Sequence, residues 1–164
     1  MGNIYNEQYY RYKCGSVSYE NQKVWVEFFS GIAKKIVQDF NPRTLLDVGC
    51  AMGYLVSALR DLGVDAYGID ISEYAISRVR EDIKPYCRAL SALDPLPEAF
   101  PKVYDMVTNI EVAEHLSQEE GKRLISILCN YSDCIIFSST PNDYDEKTHI
   151  NVQKNEYWAK IFAQ

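Results

Sequence analysis

The stretch Leu45-Leu46-Asp47-Val48-Gly49-Cys50-Ala51-Met52-Gly53-Tyr54-Leu55 decides how this 164-residue chain is read. An apolar run enters a turn of small residues and leaves as a helix-compatible segment from about Tyr54. A strand that ends in such a turn aims backbone N–H groups and a helix N-terminus at a ligand. Gly49 and Gly53 remove the Cβ atoms that would block close approach. Asp47 stands at the end of the strand, pointed at whatever the turn holds. The unit predicts a small-molecule pocket on a doubly wound, mostly parallel α/β sheet.

Spacing separates the two ligand classes that use such turns. The dinucleotide pattern G-x-G-x-x-G wants small residues at offsets zero, two and five. Counted from Gly49, these fall on Gly49, Ala51 and Tyr54. A tyrosine cannot serve where the third glycine permits close helix–strand packing. A nicotinamide-dependent oxidoreductase is therefore the weaker reading of this turn.

Downstream, residues 54–62 form a helix closed by Gly63, and the next apolar run, 64–69, ends at Asp70. This acid lies about 20 positions beyond the first glycine, where a second parallel strand returns beside the first. A carboxylate there can accept both hydroxyls of a ribose, and it does so for more than one nucleoside cofactor. Ser72 is placed to cap a following helix. Upstream, residues 20–39 carry Val24, Phe28, Ile32, Ile36 and Val37 at helical spacing, stopped by Asn41-Pro42. Trp25 and Phe29 belong to core or rim. A third short strand is expected within 83–90, a fourth over 104–109, a helix over 118–131, a fifth strand over 133–139 and a short amphipathic helix over 155–162.

Read as a whole, Asp47-Val48-Gly49-Cys50-Ala51-Met52-Gly53 is D-x-G-x-A-x-G, which resembles the first motif of class I S-adenosylmethionine-dependent methyltransferases. The family usually has glycine where this chain has Ala51. Tyr104-Asp105-Met106-Val107 running into Glu111-Val112-Ala113-Glu114-His115-Leu116 resembles the family's fourth motif, and Thr140-Pro141-Asn142 matches the end of its fifth strand. Four motifs in order cover residues 44–142.

The resemblance implies S-adenosylmethionine as cofactor. Gly49, Ala51 and Gly53 would admit its methionine portion, with Asp47, Val48, Cys50 and Tyr54 also binding the cofactor. Asp70 would take the ribose, with Ile71 and Ser72 beside it also binding the cofactor, and Asn109, Ile110 and Glu111 would bound the methyl-transfer side. The acid that usually precedes Leu-Pro and holds adenine is missing near Ser91-Ala92 or displaced to Asp94, so the backbones of Ala92 and Leu93 are the expected contacts. The Thr-Pro-Asn and Thr-His-Ile-Asn-Val flavour is similar to that of small-molecule or sugar O-methyltransferases. A non-catalytic cofactor-binding module of a larger assembly is the other alternative.

If residues 111–115 make a helical turn, Glu111, Glu114 and His115 share one face. His115 could then take a proton from an acceptor hydroxyl, or simply order the loop through a backbone bond. His149 is the only other histidine. Glu111, Glu114, His115 and His149 would suit a divalent cation through mixed oxygen and nitrogen ligands. A similar pattern holds a metal in the small-RNA 2′-O-methyltransferases that it resembles; a metal-free acid–base pair is the competing expectation.

Bulk properties narrow the setting. The formal charge of −6 argues against a nucleic-acid partner, which would call for a basic face. No run approaches the roughly 20 apolar residues that span a bilayer. Cys14, Cys50, Cys87, Cys129 and Cys134 are scattered without a C-x-x-C pair, as suits reduced thiols in the cytoplasm. Cys50 reads as a small residue that fits its turn. Residues 1–18, rich in tyrosine, form an N-terminal arm or a flap over the pocket. The fold family expects two more strands, an antiparallel pair. The sequence to residue 164 offers none, so a C-terminally truncated single domain of about five strands is expected. Its fifth strand would be an open edge for a homo-oligomer or for further parts of a longer chain.

Overall fold

The computed structural model describes residues 4–14 and 17–164; those parts of the N-terminal arm at 1–3 and 15–16 lie outside the described residues. In chain order the elements are α1 (Glu7–Tyr12), α2 (Gln22–Phe40), β1 (Thr44–Val48), α3 (Tyr54–Asp61), β2 (Asp65–Asp70), α4 (Glu73–Ser77), β3 (Cys87–Ala89), β4 (Met106–Ile110), α5 (Gln118–Tyr131), β5 (Ile135–Ser138) and α6 (Asn155–Phe162). Short 3-10 turns at Glu81–Tyr86 and Ala113–His115 precede β3 and α5. The five strands form one sheet in the order β3-β2-β1-β4-β5, with all four pairings parallel. This is the doubly wound arrangement expected, with β1 at the centre and β3 and β5 at the edges.

The central strand shows why the sheet needs cover on both sides. Leu45 packs into a core formed with α2 and α3, while Leu46 and Val48 pack into a second core with α5 and α6. Alternate residues thus feed opposite cores, and β1 reads as a continuous apolar run, as buried parallel strands do. Asn41 closes α2 in the left-handed region, Gly63 follows α3 with φ of 85°, and Ser72 caps α4 by accepting the Ala75 N–H at 3.0 Å. Ser117 and Glu120 form a reciprocal capping box at the start of α5.

Two expectations shift and one is narrowed. The apolar stripe of α2 faces inward through Phe29, Ala33 and Ile36, whereas Val24 and Phe28 lie exposed. Both flanking stripes are apolar, so periodicity alone left the phase of this helix open. The third strand is only Cys87–Ala89, because Glu81–Tyr86, with Pro85 inside it, winds as a 3-10 turn. Residues 111–115 do not make one helical turn: Glu111 takes φ of 54°, and the turn begins only at Ala113.

Candidate functional site

The site is built at the C-terminal edge of β1, β2 and β4, where parallel sheets leave a crevice for ligands. The turn after β1 is held by its neighbour strand: the N–H groups of Gly49 and Cys50 both donate to the Ile69 carbonyl, at 2.8 and 3.0 Å. Gly49 (φ 89°), Ala51 (φ 47°) and Gly53 (φ 70°) all take left-handed backbone. A Cβ on Gly49 would lie 2.2 Å from Val112 Cγ2, so a side chain there has no room. Cys50 is buried, with its sulfur over Gly68, where a Cβ would come within 2.7 Å. It acts as the small filler expected. Tyr54 opens α3 and its ring stacks on Phe29, which leaves no third-glycine packing of the dinucleotide kind.

Two carboxylates and one carboxamide face this crevice or border it. Asp47 accepts from Thr108 Oγ1 at 2.7 Å, and burial pushes its pKa up to about 7 against that bond. Asp70 accepts the N–H groups of Ser72 and Ala51, each at 2.8 Å, and lies 3.5 Å from the Tyr10 hydroxyl. Burial raises its pKa, and these donors oppose the rise. Asn109 donates to the Val48 carbonyl at 2.9 Å, and its own buried Oδ1 has no protein partner among the described residues. An orphaned buried acceptor beside the turn is what a polar ligand would satisfy. On the adenine side, Leu93 is engaged locally: its N–H bonds Ser91 Oγ at 3.2 Å and its carbonyl takes Arg123 at 3.1 Å. Val48, Ile71, Ser72, Ala92 and Ile110 border the same edge, as the ends of β1, β2 and β4 and the loop beyond β3.

Next to the crevice stands the acidic and histidine cluster. Glu114 is fully buried; its Oε1 accepts the Thr140 N–H at 3.4 Å, and Oε2 has no protein partner among the described residues. Burial first, and then the Glu111 carboxylate, raise its pKa to about 8. His115 Nδ1 lies 3.2 Å from the Thr148 carbonyl. A carbonyl only accepts, so Nδ1 carries the hydrogen and Nε2 presents a lone pair. Burial and His149 pull the His115 pKa down to about 4. His149 Nδ1 is tied to the Asp143 carbonyl at 3.1 Å, and its ring centroid lies 4.7 Å from that of His115.

One ligand atom from each of Glu114, His115 and His149 falls within 4.8 Å of the others. One buried carboxylate and two imidazole lone pairs fit a divalent cation. The sequence had grouped Glu111 with them. The structure instead leaves Glu111 exposed at the rim, accepting from Ser138 Oγ at 2.7 Å, because its left-handed backbone turns it out of the Ala113–His115 turn.

Thr108 and Thr148 were not singled out by the sequence, and Tyr10 was marked only as part of the tyrosine-rich arm, without its Asp70 partner. Each lies more than 30 positions from its partner in the site, so no local pattern carried the signal.

A family model for a methyltransferase domain matches residues 18–163. A ubiquinone biosynthesis O-methyltransferase of Methylococcus capsulatus is 37% identical over 79 residues, which cover 45% of this chain and 33% of that protein. The match thus spans about a third of that relative's length. Among solved structures, a SAM-dependent methyltransferase of Archaeoglobus fulgidus superposes with a TM-score of 0.67 at 21% identity, covering 88% of this chain and 72% of that one. Magnesium protoporphyrin IX methyltransferase of Synechocystis with bound SAH superposes with a TM-score of 0.61 at 22% identity, covering 83% and 71%. These two share the fold. With the family model spanning both the glycine turn and the Glu-His cluster, the chain belongs to the methyltransferase domain family, and the S-adenosylmethionine expected from its turn agrees with that membership.

Proposed function

We propose that the chain transfers a methyl group from S-adenosylmethionine to an oxygen of a small molecule. The observation that carries this reading is one shared edge: the Gly49–Gly53 turn with Asp70 on one side, and Glu114, His115 and His149 on the other. When bound, the cofactor supplies a sulfonium methyl to an attacking oxygen, and the C–S bond pair leaves on sulfur as S-adenosylhomocysteine. The protein's part is to bind and align. Asp70 would take the ribose hydroxyls, and the turn and Asn109 Oδ1 the methionine end. Ala92 would meet adenine, since Leu93 already spends both backbone groups. His115, whose Nε2 lone pair is free of the Thr148 bond, would serve the methyl-accepting side.

A specific observation favours His115 as a cation ligand over His115 as a general base. An imidazole held near pKa 4 is a poor acceptor for a hydroxyl proton at neutral pH. The orphaned Glu114 Oε2 and the two Nε2 lone pairs form a set that a divalent ion would complete. A bound cation would lower the acceptor hydroxyl's own pKa. Related names support oxygen as the accepting atom: the Methylococcus protein is an O-methyltransferase by name. A cytoplasmic setting accords with cysteines that are all free, and no helix among the described residues is long and apolar enough to cross a membrane. A homo-oligomer, or further segments of a longer chain, would add at the β5 edge.

Calorimetric titration with S-adenosylhomocysteine and NAD, with an Asp70→Ala control, tests the cofactor. Binding of the homocysteine product that the control loses is the expected result. Saturable NAD binding instead would overturn it. Titration with Mg²⁺ and Mn²⁺, with and without His149→Ala, tests the cation.

A further inference from the structure

Helix α2 has two faces, and only one of them serves its own chain. Phe29, Ala33 and Ile36 turn into the core. On the opposite side Val24 and Phe28 are 42% and 53% exposed, and Gly31, at the midpoint of Gln22–Phe40, is exposed with them. A glycine inside a helix weakens it relative to alanine. Packing within the chain does not ask for one here, because a Cβ on Gly31 would meet nothing within 4 Å. Glu27 and Lys34 flank the same face, both exposed. Among the described residues neither joins an ion pair. They stand two turns apart, about 10 Å along the axis, one on each side of the glycine.

We propose that this face binds a second copy of the chain, whose own α2 lies across it antiparallel. Antiparallel pairing about the midpoint sets residues on either side of Gly31 against their opposites. Glu27 of one copy then meets the partner's Lys34, and the two-fold symmetry makes that ion pair twice. Val24 and Phe28 come against the stem of the partner's Lys35, a side chain long enough to cover apolar surface while its ammonium stays in water. That ammonium already has Asp39 at 2.8 Å in its own helix. Gly31 faces its symmetry mate, and two glycines there let the helix axes approach closely. A parallel copy would instead set Glu27 against Glu27 and Lys34 against Lys34, so charge selects the antiparallel arrangement. The face is separate from the β5 edge, since α2 packs with α3 into the other core. One helix face is at the small end of specific interfaces, so the dimer forms with rising concentration and the copies are separate at micromolar levels.

The test is sedimentation velocity of the full chain from about 1 µM to about 1 mM, with variants at exposed positions that leave the fold of each copy intact. The wild type is expected to pass from monomer to dimer across that range. Glu27→Lys and Lys34→Glu each replace two attractive contacts by two repulsive ones, and each should move the midpoint about tenfold higher or more. The double variant Glu27→Lys with Lys34→Glu restores both contacts with the signs exchanged and should return to within about threefold of the wild type. Phe28→Lys should stay monomeric throughout. Gly31→Gln favours the helix within one copy, yet should weaken the dimer about tenfold by holding the axes apart. A wild type that is monomeric at every concentration overturns the proposal. So does a dimer indifferent to these variants, which would place the contact elsewhere, the β5 edge included. A double variant no better than either single one overturns the antiparallel pairing.

Discussion

Ala51 sits in left-handed backbone, with φ of 47°, at the position where the resembling family carries glycine. For an L-residue that conformation costs about 1–2 kcal/mol, part of which glycine would return as extra unfolded-state freedom. Ala51→Gly is therefore expected to stabilise the chain by up to about 1 kcal/mol in urea denaturation. Gly49→Ala should do the reverse and more, by about 3 kcal/mol, because its Cβ meets Val112 at 2.2 Å. Asp47 adds a pH dependence whose sign follows from its surroundings. Its folded pKa of about 7 lies above its unfolded value near 3.8, so the native state holds more protons between those limits. Stability from this group is present below the unfolded pKa and is lost as pH rises through the folded one. Asp47→Asn keeps an acceptor for Thr108 without the charge. It should match the wild type near pH 4 and exceed it by roughly 2 kcal/mol or more at pH 8. Equal stabilities of the two proteins at both pH values would refute the buried-charge account.

At the scale of elements, the readable features were those whose causes are local. β1 begins and ends where the apolar run does, α5 starts at the capping residues Ser117 and Glu120, and α6 spans Asn155–Phe162 as its pattern indicates. Asp70 and the turn glycines were legible for the same reason, since strand, turn and return have a fixed spacing. What local pattern could not fix was the choice between two apolar faces of one helix. Val24 and Phe28 form one stripe of α2, and Trp25 and Phe29 the next. The ring of Tyr54 from α3, stacked on Phe29, settles which is buried. Phe29→Ala should then cost about 3 kcal/mol in urea denaturation, whereas Phe28→Lys, at a position 53% exposed, should stay within about 0.5 kcal/mol. The same limit explains Glu111. A motif of the form E-x-x-E-H suggests one helical face, yet Val112 must pass over Gly49, and the left-handed turn at Glu111 delivers it there. His149 joins the cluster through the Thr148 and Asp143 carbonyls, contacts that no spacing rule encodes.

For the whole molecule, the decisive property is that the candidate crevice joins the two cores. Leu45 and Met106 belong to one core and Leu46 and Val107 to the other, yet β1, β2 and β4 all end at the same edge. A ligand seated there bonds to groups carried by strands that anchor both sides of the sheet. Binding to the native state alone must therefore raise the stability of the whole domain, not of one loop. At a ligand concentration one hundred times Kd the gain is about 2.7 kcal/mol. For a chain of this size that corresponds to a rise in Tm of about 5–10 °C. S-adenosylhomocysteine is expected to give this shift in a single cooperative transition, and NAD none. Asp70→Ala should keep a cooperative melt but lose the shift, because it removes the acceptor for the sugar and frees the Ala51 and Ser72 N–H groups without opening either core. A shift of equal size in Asp70→Ala would place the nucleoside elsewhere on the molecule.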